Sequence, residues 1–149
     1  MSDTDLRAEL KRRVEAIEAG YELMLAYAAQ GLPSDRQSTG GGQLREFLGR
    51  FHDALTGLAE LYGSLVAEIQ PGQAGEYADF LEVLASDAKA ARAGLRLVIA
   101  QPDISSQLVD NLNASIHVRA LLTDLFLVDE VFSPGKMEAA AEAPPQGGD

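Results

Sequence analysis

Residues 44–69 read LREFLGRFHDALTGLAELYGSLVAEI. Large apolar side chains recur at Leu44, Leu48, Phe51, Leu55, Leu58, Tyr62, Leu65 and Ile69, in alternating steps of four and three. A helix turns once in about 3.6 residues, so that spacing draws one apolar stripe along one face. The stretch stops at Gln70-Pro71-Gly72, because proline disfavours helix in the residue before it. The same pattern lies on both sides. Upstream it runs Leu10, Val14, Ile17, Tyr21, Met24, Ala28, and ends at Leu32-Pro33. Downstream it runs Tyr77, Leu81, Leu84, Ala88, Ala91, Leu95, Val98, and ends at Gln101-Pro102. A fourth segment starts at Asp103, whose carboxylate suits a helix N-cap, and continues to about Phe132.

Each segment is roughly 40 Å long at about 1.5 Å per residue. The lengths are similar, the connections are short and no strand alternation is present. The spacing therefore predicts an all-α fold, an up-down-up-down four-helix bundle over residues 1–133. Residues 134–149 are rich in alanine, proline, glycine and glutamate, which cannot build a core. They are expected to form a disordered tail.

The 149 residues suffice for one domain with a sizeable core. A net charge of −11 repels phosphate backbones and anionic lipid, so neither nucleic acid nor a membrane surface is an expected partner. The absence of cysteine excludes disulfides, thiol nucleophiles and thiolate metal sites. The opening MSDTDLRAELKRRVEA has no apolar core of a signal peptide, and no run of about 18 apolar residues exists. A cytoplasmic location is the expectation.

Chemistry-bearing patterns are few. The stretch STGGGQLREF (38–47) places three glycines at a helix start. It lacks the lysine and spacing of a Walker A loop and the spacing of a dinucleotide fingerprint. Free amides at Gly41 and Gly42, with Arg36, Ser38 and Arg45 nearby, make a weak candidate anion site. The bland alternative is a plain interhelical connection. His117 and His52 lack the ExxH partners of a di-metal bundle, since positions 114 and 49 are Ala114 and Gly49. No metal or other cofactor is expected. Lys89, Arg92 and Arg96 form a basic stripe, and Glu15, Glu18 and Glu22 an acidic one, at the same spacing. Such charges usually belong to solvated faces.

His52-Asp53 with Thr56 spells HDxxT. The string resembles the phospho-acceptor box of histidine kinases and phosphotransfer proteins. The resemblance covers about five residues and implies His52 as acceptor, Asp53 as base and Thr56 as the residue that positions water. A structural histidine on a helix flank is the alternative.

The fourth segment is more apolar than one bundle face requires. Leu121, Leu122, Leu125, Phe126, Leu127, Val128, Val131 and Phe132 spread over more than one side. That surplus suggests a partner-binding surface of Leu121, Leu122, Leu125, Phe126, Val128 and Phe132. The expected function is a small, non-enzymatic interaction protein of adaptor or regulatory type. It would bind a protein partner or itself, as a homodimer, through this segment. Histidine phosphotransfer, or ligand binding at the Gly40–Gly42 loop, stands as the alternative.

Overall fold

The computed structural model describes residues 2–37 and 41–132, and all regular structure in them is helical. In chain order the helices are α1 (Asp3–Ala28), α2 (Gly41–Ala54), α3 (Leu58–Ile69), α4 (Ala74–Ile99), α5 (Ser106–Ala114) and α6 (Ile116–Phe132). Short 3-10 turns at Asp35–Gln37 and Pro71–Gln73 occupy two connections. The 134–149 tail lies outside the described residues.

Two of the four expected segments are single helices, α1 and α4. The other two are each broken, so the described residues hold six helices where four were expected. The first break falls inside the most regular heptad run. Gly57 adopts a left-handed conformation, φ 70° and ψ 15°, which glycine takes without steric cost. The last turn of α2 tightens onto i+3 bonds, Leu55 N–H to His52 O and Thr56 N–H to Asp53 O. The Arg13 guanidinium reaches across from α1. It donates to Ala54 O at 3.2 Å and to Thr56 O, meeting the negative end of the α2 dipole. The apolar stripe survives the break, because Leu55 and Leu58 both remain buried.

The second break is at Ser115, whose backbone is extended at ψ 145°. Its hydroxyl accepts from Val118 N–H at the start of α6. Asp103 is not the expected N-cap of this segment. Ser105 caps α5, accepting from Leu108 N–H at 3.0 Å, while Asp103 accepts a 2.6 Å bond from Ser34 Oγ. At the chain start Ser2 and Asp5 form a reciprocal capping box on α1.

α1 packs against α2, α3 and α5; α4 packs against α2, α3, α5 and α6. The core between them contains Ile17, Met24, Leu48, Phe51, Leu84 and Leu121, each no more than 1% exposed. Phe132 closes one end, with its ring 5.8 Å from Tyr62 and 5.2 Å from Tyr77.

α2 packs tightly against α1 at Gly20. A Cβ there would lie 2.9 Å from the Phe51 ring and 3.3 Å from Phe47 O. Gly20→Ala is therefore expected to destabilise the fold by about 1–3 kcal/mol through overpacking. Gly49→Ala has open space at its Cβ and is expected to stabilise by about 0.5–1 kcal/mol through helix propensity. Urea denaturation of both variants checks the pair, and equal effects of one sign would contradict this packing.

Candidate functional site

The connection between α1 and α2 was a candidate anion site, and two of its charged residues, Asp35 and Arg45, pair with each other. Arg45 Nε donates to Asp35 Oδ2 at 2.6 Å. Its two terminal nitrogens donate to Ile99 O at 2.9 Å, Gln101 O at 2.8 Å and Pro102 O at 3.2 Å. The guanidinium thus holds the last carbonyl of α4 and two carbonyls just beyond it, and has no fork left for an anion. Asp35 is 4% exposed and also accepts from Ile104 N–H at 2.8 Å. Arg45 holds the Asp35 carboxyl below the usual carboxylate range, against the opposing effect of burial. Arg36 is exposed, its Nε 3.8 Å from Asp103 Oδ1, and Gly41 and Gly42 begin α2. Ser38 lies outside the described residues.

The HDxxT residues lie at the end of α2 and in the break that follows it. His52 Nδ1 lies 3.0 Å from Asp53 Oδ1 on the adjacent residue. His52 Nε2 is closed off from solvent and has no hydrogen-bond partner, while 18% of the side chain remains exposed. Thr56 sits in the break after α2 rather than one helical turn along it, and its carbonyl is taken by Arg13.

The last segment divides cleanly. Val118, Leu121, Leu125, Val128 and Phe132 recur in steps of three and four and point into the core. Four of the expected partner-binding residues, Leu121, Leu125, Val128 and Phe132, are therefore core residues, unavailable on the folded surface. Leu122 is half-buried and packs against that core. Phe126 alone of the six is exposed, at 69%. The surplus apolar surface is real but consists of other residues: Ile116 at 75%, Leu127 at 54% and Val131 at 45% exposure join Phe126. Burying one stripe turns these four outward, since they fall on the opposite side of the helix. Beside them a groove of about 610 Å³ runs between α4 and α6, lined by Tyr77, Phe80, Leu81, Leu127 and Val131. A second groove of about 630 Å³ opens between α1, α3 and α6, with Glu15 and Glu18 of the acidic stripe along it.

Sequence reading missed the inward-facing acid of α6. Asp124 is buried against α4, where Asp87 faces it, and its Oδ2 has no hydrogen-bond partner. Burial, and then the hydrogen bond and charge of Asp87, push the Asp124 carboxyl up to about 7. Nearby, Asp129 accepts from the Tyr62 hydroxyl at 3.2 Å. Burial raises Asp129, while the Tyr62 bond works the other way. The signal for Asp124 was its position three after Leu121 and one before Leu125, at the edge of the buried stripe.

Among the described residues no group of three or more His, Asp or Glu side chains is placed to hold a metal ion. No helix among them is long and apolar enough to cross a membrane. No protein-family model, no curated protein and no solved structure matches the chain.

The buried acids give stability a defined pH dependence. Asp124 titrates higher in the folded chain than in the unfolded one, so the folded state binds the extra proton between about 4 and about 7. Stability is then expected to fall as pH rises through that window. Asp35 has the opposite sign: its contribution is present above its ordinary value of 3.8 and is lost as pH falls further. Urea midpoints from pH 3 to pH 8 check this. Asp124→Asn should flatten the slope between about 4 and 7 and stabilise the protein at pH 8 by on the order of 1–2 kcal/mol. An unchanged slope in that variant would contradict the assignment.

Proposed function

We propose that this chain is a non-enzymatic interaction module, a bundle of four helical segments of which two are broken, that pairs with a second copy of itself through the outer face of α6. One observation carries the reading: Phe126, Leu127 and Val131, with Ile116 further along the helix, stand exposed on the side of α6 that the core does not use. Large apolar side chains grouped on a surface mark association sites. Leu127 and Val131 line the groove between α4 and α6, and Phe126 stands exposed on the same helix outside that groove. A two-fold interface needs projection and recess within the same patch, so that each copy fills the other.

Charge supports the same face. Two chains of net charge −11 repel one another over most of their surface. The exposed residues of α6 are Ile116, His117, Arg119, Thr123, Phe126, Leu127, Glu130 and Val131. They include one arginine and one glutamate, so the face is close to neutral where the rest of the chain is acidic. An adaptor or regulatory role in the cytoplasm accords with this reading, in which α6 serves self-association and no catalytic group takes part.

The discriminating variant is Phe126→Asp, because Phe126 contributes little to the core. Sedimentation equilibrium of the unaltered chain should show a monomer–dimer equilibrium. Phe126→Asp should shift it to monomer by about tenfold or more in dissociation constant, with the melting temperature of the dilute protein unchanged. Leu122→Asp should instead unfold the chain, since Leu122 packs on the core. A monomeric unaltered chain, or a variant that dimerises equally well, would overturn the proposal.

A further inference from the structure

The core stripe of α4 is Leu84, Ala88, Ala91, Leu95 and Val98. A second run with the same alternation of three and four follows the other side of that helix: Val83, Ser86, Ala90, Ala93 and Leu97. Among the described residues it stays largely uncovered. Leu97 is 65% and Val83 47% exposed, Ser86 and Ala93 are exposed, and Ala90 is half-buried. The run is about 21 Å long. Large side chains stand at its two ends and small ones between them, so a second helix can come close in the middle and be gripped at both ends. Tyr77 meets Phe132 and Asp87 faces Asp124, so α4 and α6 run side by side in opposite directions. Leu127 and Val131 of the outer face of α6 lie beside the first half of α4.

A specific pairing of two proteins buries about 800 Å² of each. The 17 residues of α6 form a helix about 25 Å long and about 10 Å across, whose outer face alone falls short of that area. The exposed run of α4 about doubles the width. α4 is also polarised along its length. Its first half carries Glu76, Asp79 and Glu82, and its second half Lys89, Arg92 and Arg96. Glu82, Lys89 and Arg96 recur every seven residues along one edge of the exposed run, and all three are exposed. Among the described residues none of these three forms an ion pair within the chain. A second α4 laid alongside in the opposite direction sets the acidic half of each helix against the basic half of the other. Laid in the same direction, it sets like charge against like.

We infer that the second copy packs across α4 as well as α6, with the two α4 helices antiparallel about a two-fold axis that passes between Ser86 and Ala90. The inference rests on the self-association proposed above and names the surface and the direction of that pairing. Val83 then packs on the partner's Ala93, and Ser86 on the partner's Ala90. Glu82 meets the partner's Arg96, and the two-fold repeats the contact on the other side. The one like-charge approach, Lys89 with the partner's Lys89, falls at the axis, where long side chains turn into water. The same axis sets α6 alongside α6, so both exposed faces are covered at once.

Sedimentation equilibrium at low ionic strength tests the arrangement. Glu82→Arg and Arg96→Glu should each weaken pairing about tenfold, because each turns two attractive contacts per dimer into repulsive ones. Glu82→Arg brings the net charge two units nearer zero, so relief of general repulsion would give the opposite sign. The double variant restores opposite charges in reversed order and should pair within about twofold of the unaltered chain. Leu97→Asp should weaken pairing by about tenfold or more. All three side chains are exposed, and circular dichroism checks that each variant is folded. If Phe126→Asp dissociates the dimer while the α4 variants pair as before, α6 association stands and this inference falls. Single variants that weaken pairing without rescue in the double variant would overturn the antiparallel direction. A monomeric unaltered chain would overturn both readings.

Discussion

The pairing of Arg45 with Asp35 is the contact on which the rest of the architecture depends. A carboxylate as buried as Asp35 is tolerated only when its charge is opposed and its lone pairs are filled. Arg45 supplies the charge and Ile104 N–H a further bond. The same guanidinium satisfies carbonyls at the end of α4, which no intrahelical donor can reach. Around it the Tyr27 hydroxyl donates to Ile104 O at 2.6 Å, and Ser106 Oγ donates to Tyr27 O at 2.7 Å. Leu32 and Ser106 complete the set, Leu32 N–H to Ser106 Oγ and Ser106 N–H to Leu32 O. One polar cluster therefore fixes the relative positions of the end of α1, the start of α2, the end of α4 and the start of α5. With those ends fixed, the polar cluster restricts the register in which the apolar stripes meet.

The stripes themselves were legible in the sequence. Leu44 to Leu65 and Leu84 to Val98 are buried largely as their spacing foretells, because heptad steps place side chains on one helix face regardless of what lies beyond. The breaks were not legible from that spacing. The 3–4 alternation runs straight through Gly57, and only the left-handed backbone, supported from a distant helix by Arg13, reveals the interruption. Asp103 and Ser105 are both good caps by residue type; Ser105 caps α5, while Asp103 bonds to Ser34, roughly seventy positions away. Such long-range polar partners have no periodic signature.

The candidate sites show the same division. Surplus apolarity in the last segment was visible, but which side chains are surplus depends on how α6 is rotated against α4. That rotation places Asp124 inside beside Asp87 and Phe126 outside. Charged residues of the α1–α2 connection looked available for a ligand and are bound to the chain itself. The basic stripe on α4 looked like an ordinary solvated face and has no carboxylate partner among the described residues. In each case a local pattern named the right residue types, and the tertiary arrangement decided which were committed to the fold and which were left over.

Association through α6 is the central functional claim, and the lack of native cysteine makes one direct measurement simple. Thr123 is exposed on the outer face of α6, between Arg119 and Phe126. A nitroxide attached to a Thr123→Cys variant allows the distance between copies to be read by pulsed electron paramagnetic resonance. A dimer joined through α6 gives a single narrow inter-label distance, short enough to place the two α6 helices side by side across a two-fold axis. An echo decay with no modulation beyond background, at concentrations where a dimer would form, would contradict it.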